Sequence, residues 1–143
     1  MVSPSPLKKI SIFSKLGKAE LALLEARAAR RKYPADAVVI REGEDSDSMC
    51  VILSGEVSVL VADSQGVQIT MDTMGKGAYF GEYALFDGSK RSASVVTTKE
   101  SSILFVTRDA IMDLFSDSPE SAFSLIVDLI SRIHELTASA KQV

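Results

Sequence analysis

The chain has 143 residues, which suits a single domain around one hydrophobic core. Charged residues make up 24% of it, and no apolar run approaches the ~18 residues typical of a membrane span. With one cysteine, one histidine and a net charge of -3, the composition excludes an internal disulfide, disfavours a zinc or iron site, and is unfavourable for general nucleic-acid binding. The first residues lack the apolar core of a secretory signal, so a soluble cytoplasmic protein is predicted.

A short amphipathic helix is predicted near the N terminus, over residues 18–29. Good helix formers fill this stretch, and Pro34 with Asp36 ends the helical pattern. The basic residues within 27–32 are interpreted as a solvated helix face, because no aromatic side chains interleave with them. The apolar residues at helical spacing are Leu21, Leu24 and Ala28.

Short β-branched runs separated by turn signals occupy the middle of the chain, over residues 33–107. Glycines such as Gly55 and Gly66 stand between the runs, where tight turns require positive φ. Seven or eight short strands at this spacing predict a mainly β fold of the roll, sandwich or barrel type. The recognised runs are Val38–Ile40, Met49–Leu53, Val57–Val61, Val67–Met71, Ser94–Thr98 and Ile103–Val106.

Two helices are predicted after the strands, over residues 108–140, the second beginning near Pro119. The second carries two apolar rows, so that one row can face the β region while the other meets a partner. A homodimer through this helix is therefore expected, the alternative being a helix that packs only on its own domain. The heptad row is Ala122, Ile126, Leu129, Ile133, Leu136 and Ala140, and the flanking row is Phe123, Val127, Ile130 and Thr137.

The segment over residues 75–91 is too long and glycine-rich for a hairpin loop, and it carries the candidate site. Gly81 precedes a short helix-capable stretch, Glu82–Phe86, whose N-terminal amides and dipole favour an anion. Arg91 supplies a guanidinium that fits two phosphate oxygens and balances the single charge of a cyclic phosphodiester. The Glu82 carboxylate can accept from a ribose hydroxyl.

This segment resembles the phosphate-binding cassette of the cyclic-nucleotide-binding family, which includes the regulatory subunits of cAMP-dependent protein kinase and the bacterial cAMP receptor protein. The resemblance rests on Phe80-Gly81-Glu82, on Ala84-Leu85 and on Arg91-x-Ala93, with a glutamate-to-arginine spacing like that of the kinase subunits. Lys90 stands where those subunits commonly have proline, which removes no ligand group.

The resemblance implies an eight-stranded, jelly-roll-like β-roll with a short N-terminal helix, a cassette helix and two C-terminal helices, in one domain over residues 7–143. It implies that Glu82 binds the ribose 2'-hydroxyl, that Arg91 pairs with the equatorial phosphate oxygen, and that Thr137 aligns with a threonine that contacts adenine. The Ser92 hydroxyl can reach the phosphate or a guanine amino group. Aromatic residues of the segment are expected to pack rather than to stack on a base. The candidate ligand-binding set is Gly81, Glu82, Tyr83, Ala84, Arg91, Ser92, Ala93 and Thr137.

These features predict a regulatory sensor, not an enzyme, that binds cAMP and needs no metal or cofactor. Ligand binding is expected to shift its C-terminal helices over the ligand. One alternative is the ligand-binding fragment of a cAMP-receptor-type transcription regulator, whose helix-turn-helix would lie beyond Val143. Another is a sensor of cGMP or of a cyclic dinucleotide. The effector protein is not identified, and neither a membrane nor nucleic acid is expected to contact this chain.

Overall fold

Two antiparallel four-stranded sheets form the body of the protein, in a computed structural model that describes residues 7, 13, 14, 16–82 and 88–141. The fold is mainly β with flanking helices, as predicted. Within the described residues the helices are α1 (Lys18–Ala26), α2 (Arg108–Asp117) and α3 (Pro119–Lys141). The strands are β1 (Ala29–Tyr33), β2 (Val38–Ile40), β3 (Ser48–Ser54), β4 (Glu56–Ala62), β5 (Gln68–Gly75), β6 (Tyr79–Phe80), β7 (Ser94–Thr97) and β8 (Ser101–Thr107).

The sheets have the strand orders β1-β8-β3-β6 and β2-β7-β4-β5, so each draws strands from both ends of the β region. Strand β3 is buried on both faces, and its alternating side chains contribute to two separate clusters. The inter-sheet core contains Cys50, Ile52, Val57, Phe80, Val95 and Ile103. The helix-side core joins the other face of the first sheet to the helices and includes Leu21, Leu24, Met49, Val51, Tyr79, Leu104, Ile111 and Leu125.

The N-terminal helix is shorter than predicted, because α1 ends at Ala26 rather than at residue 29 and strand β1 begins at Ala29. Of the basic residues assigned to a helix face, Arg30, Arg31 and Lys32 lie on β1 instead, whereas Arg27 directly follows α1, so the β-roll starts before residue 33. Pairing with β8 makes this segment a strand although its charged residues have low strand propensity. Across that pairing, the Arg31 guanidinium lies 4.9 Å from the centre of the Phe105 ring. A charged edge strand of this kind also discourages pairing with another sheet.

Helix α2 begins where the Thr107 hydroxyl accepts a hydrogen bond from the amide of Ala110 at 3.2 Å. Helix α3 follows after Ser118 and packs on the helix-side core through Leu125 and Leu129. Neither predicted apolar row faces the body as a whole, because the packed stripe contains Ser121, Leu125 and Leu129 and lies on the side of the heptad row away from the flanking row. Five large apolar side chains of α3 are between 44% and 69% exposed: Phe123, Ile126, Val127, Ile130 and Ile133.

The extent of the domain over residues 7–143 stays a prediction, and the predicted cassette helix falls largely on residues 83–87, outside the described part of the chain. No helix in the described ranges combines the length and apolar character needed to span a membrane.

Candidate functional site

A cavity of about 190 Å³ opens beside the inter-sheet core, and five of the predicted ligand-binding residues line it. Tyr83 and Ala84 lie outside the described residues. Thr137 is exposed on α3, where its hydroxyl donates to the carbonyl oxygen of Ile133 at 3.0 Å, and it is not among the lining residues. The five predicted residues at the cavity are Gly81, Glu82, Arg91, Ser92 and Ala93.

Arg91 is the buried cation of the cavity, with 9% of its surface exposed. Its Nη1 donates to the carbonyl oxygen of Ser48 at 2.9 Å, and its Nη2 lies 3.4 Å from the Ser48 hydroxyl. Both of these acceptors are neutral oxygens of Ser48, so they position the guanidinium but do not neutralise its positive charge. A buried cation held in this way favours an anionic ligand.

The backbone around Arg91 is fixed to the loop that precedes β3. The amide of Arg91 donates to the carbonyl oxygen of Glu44 at 2.8 Å, and its carbonyl oxygen accepts from the amide of Gly43 at the same distance. The neighbouring Lys90 ammonium lies 3.5 Å from Asp45 at the exposed rim. These contacts fix the position of Arg91 relative to the opposite wall of the cavity.

Gly81 forms that opposite wall, immediately after β6, with a φ of +80° that side chains rarely adopt. A β-carbon at this position would overlap Nη1 of Arg91 and lie 3.5 Å from the Ser48 carbonyl oxygen. Glycine is therefore required both by the backbone conformation and by the close approach of the guanidinium.

Glu82 adds a carboxylate that is only 7% exposed at the same cavity, so the site holds both a cation and an acceptor for hydroxyl groups. Ser92 is exposed at the rim, and Ala93 is half-buried. The remaining wall is apolar and was not identified from the sequence, although alternation along the strands could have indicated it. It comprises Ile40, Val59, Met74, Phe80 and Val95.

Cys50 lies beneath the site, on the strand that pairs with β6. Burial raises the pKa of its thiol to about 12, and the nearby positive charges of Arg91 and Arg31 act in the opposite direction. The thiol is therefore protonated at neutral pH and behaves as a small apolar side chain. Within the described residues, no group of three or more side chains capable of metal coordination is found.

Comparison with known proteins gives a family match over residues 30–118, to a family described as "Cyclic nucleotide-binding domain". The chain is 35% identical over 103 residues to the cAMP-activated global transcriptional regulator CRP of Haemophilus influenzae, covering 71% of this chain and 46% of that protein. It is 37% identical over 113 residues to a cyclic nucleotide-gated potassium channel of Rhizobium etli, covering 79% and 30% of the two chains. The chain thus spans less than half the length of either relative.

Among solved structures, the catabolite activator protein of Thermus thermophilus superimposes with a TM-score of 0.81 at 27% sequence identity. The superposition covers 92% of this chain and 62% of that one. The likeness therefore extends beyond the matched family region to the flanking helices.

Proposed function

The chain belongs to the cyclic nucleotide-binding domain family, and we propose that it is a regulatory sensor module that binds cAMP in the cytoplasm and thereby repositions its C-terminal helices. The observation that carries this proposal is the buried Arg91 guanidinium, held against Gly81 and beside Glu82 in one cavity. The relatives reported above are a regulator and a channel rather than enzymes, which supports a binding function.

Each part of a cyclic nucleotide has a complementary group in the proposed complex. The single negative charge of the cyclic phosphate pairs with Arg91, and a charge-assisted, two-pronged hydrogen bond suits the guanidinium. Glu82 accepts from the ribose 2'-hydroxyl, and the base lies along the apolar wall. Gly81, Ala84 and Ala93 contribute backbone amides, while Tyr83 and Ser92 complete the proposed set.

Preference for cAMP over cGMP or a cyclic dinucleotide is supported by the regulator of Haemophilus influenzae, whose name describes it as activated by cAMP. In the proposed complex Thr137 hydrogen-bonds the adenine amino group. This contact requires α3 to move, because Thr137 is exposed and bonded within its own helix. Movement of α3 is the proposed output that an effector protein reads.

Saturating cAMP is expected to stabilise the folded protein. A ligand that binds only the native state at ~100 times its dissociation constant adds about 2.7 kcal/mol to the free energy of unfolding. Differential scanning fluorimetry with cAMP should therefore show a melting temperature several degrees higher, with 5'-AMP as the acyclic control. The absence of a shift with every cyclic nucleotide tested would contradict the proposal.

A second copy of the chain is the proposed partner of the apolar face of α3. Ile133 lies on that face and is 58% exposed in the single chain. Dimer formation would bury this position, so the charge introduced by Ile133→Glu should disfavour association. We expect light scattering to give a dimer for the wild type and a monomer for Ile133→Glu. Ser131→Glu, an exposed change on the polar side of the same turn, should remain dimeric. A wild type that is monomeric both with and without cAMP would refute the dimer and leave the cavity assignment standing.

A further inference from the structure

Strand β6 connects the cavity to the helix-side core through only two residues, Tyr79 and Phe80. Successive side chains on a strand point to opposite faces of the sheet. Phe80 accordingly lines the cavity and belongs to the inter-sheet core, whereas Tyr79 belongs to the helix-side core. Gly81 and Glu82 follow directly, so only two peptide units separate Gly81 at the cavity from Tyr79 in the helix-side core.

Tyr79 reaches helix α3 through its hydroxyl group, which donates a hydrogen bond to Oδ2 of Asp128. The tyrosine ring is buried, and Asp128 is half-buried among the residues that pack α3 onto the body. A hydrogen bond to a carboxylate in such surroundings is stronger than one between neutral groups. This bond therefore joins the strand that enters the cavity to the long terminal helix.

Asp128 lies near the point where α3 leaves the body of the protein. On its N-terminal side, the Ser121 hydroxyl lies 3.4 Å from the Glu20 carboxylate of α1, and Leu125 is buried in the helix-side core. On its C-terminal side, Ile133 and Thr137 are exposed. A contact at this position controls the direction of the C-terminal half of α3 more than a contact in the first turn would.

We infer that Tyr79 and Asp128 are positioning residues that couple occupancy of the cavity to the position of α3. The inference rests on the proposed function and names the contact through which ligand binding is transmitted. Binding at Gly81 and Glu82 shifts β6, the shift changes the hydrogen bond to Asp128, and α3 changes its direction. Because coupling between two sites is reciprocal, removal of the bond must also change ligand affinity.

The test measures cAMP affinity by calorimetry and amide hydrogen exchange of residues 119–141, each with and without saturating cAMP. Tyr79→Phe removes the hydroxyl but keeps the buried ring, and Asp128→Asn removes the charge but keeps the shape. Matched controls are Tyr33→Phe on β1, a strand that pairs with β8, and Asp113→Asn on α2, whose carboxylate pairs with Arg27. Circular dichroism checks that every variant is folded.

In the wild type and the controls, cAMP should change the exchange of the α3 amides by the same amount. In Tyr79→Phe and in Asp128→Asn, the cAMP-induced change in α3 exchange should fall by at least half. The two variants should also change cAMP affinity by the same factor. The double variant should have the same affinity and exchange response as either single variant. Asp128→Glu, which restores a carboxylate, should recover part of the response. A purely structural role would lower the melting temperature without altering the response of α3.

The inference is overturned if both variants bind cAMP with wild-type affinity and show the wild-type change in α3 exchange. It is also overturned if their effects on affinity are additive in the double variant. Should Tyr79→Phe fail to fold, Asp128→Asn alone decides through the same two measurements. A wild type that binds no cAMP would instead contradict the proposed function, so the two failures are distinguishable.

Discussion

Substitution of Arg91 by alanine is expected to nearly abolish cAMP binding while the protein remains folded. The guanidinium is the buried positive charge that the proposed complex pairs with the cyclic phosphate. Truncating one partner of a buried charge pair costs about 2 to 5 kcal/mol, which corresponds to roughly a 30-fold to several-thousand-fold loss of affinity. Removal of the side chain also takes a donor from the Ser48 hydroxyl, at a smaller cost of about 1 kcal/mol, whereas the Ser48 carbonyl oxygen keeps the Ser46 hydroxyl as a donor at 3.3 Å.

Three further variants separate the possible causes of that loss. Arg91→Lys keeps the charge but not the planar fork, so an intermediate affinity is expected. Glu82→Ala removes the acceptor for the ribose hydroxyl and should weaken binding less than Arg91→Ala. Lys90→Ala removes an exposed positive charge from the same rim and should have little effect. If folded Arg91→Ala binds cAMP as tightly as the wild type, the ligand binds elsewhere and the site assignment is wrong.

Substitution of Gly81 by alanine is expected to lower both the stability of the protein and its affinity for cAMP. A non-glycine residue at a φ of +80° costs about 1 to 2 kcal/mol of backbone strain. The added β-carbon also overlaps Nη1 of Arg91, so the guanidinium must leave its position on Ser48. Affinity should therefore fall by at least tenfold, in addition to the loss of stability.

Gly66→Ala is the matched control, because Gly66 has a nearly identical φ of +83° and its β-carbon would have no neighbour within 4 Å. Urea unfolding should show a loss of about 1 to 2 kcal/mol for Gly66→Ala and a larger loss for Gly81→Ala. Calorimetry should show unchanged cAMP affinity for Gly66→Ala alone. Equal effects of the two substitutions on both measurements would show that the approach of Gly81 to Arg91 is unimportant.

Strands with β-branched, apolar runs were predictable from the sequence, and short or charged strands that depend on pairing with distant residues were not. The six predicted runs correspond to β2, β3, β4, β5, β7 and β8. Strand β6 has two residues and exists because it pairs with Cys50 and Val51, nearly thirty residues earlier in the chain. Strand β1 is rich in arginine and lysine, so its local preference gave no indication of the pairing with β8.

The candidate site was predictable where ligand chemistry dictates residue type, as at Gly81, Glu82 and Arg91. The role of Gly81 beside the guanidinium was not predictable, because it depends on the distance between two segments of the fold. Ser48 was missed for the same reason, since its contact with Arg91 spans 43 residues. On α3, periodicity identified most of the apolar residues but not which of them face the body, where Leu125, a member of neither predicted row, packs together with Leu129 of the heptad row.

Isothermal titration of the wild-type protein with cAMP, and separately with cGMP and a cyclic dinucleotide, measures directly whether the chain binds a cyclic nucleotide and which one it prefers. We expect saturable binding of cAMP with one ligand per chain, weaker binding of the other two ligands, and near-complete loss of cAMP binding in Arg91→Ala. Tighter binding of cGMP or of the dinucleotide would contradict the preference for cAMP. Absence of binding by all three ligands to the folded protein would contradict the proposed function itself.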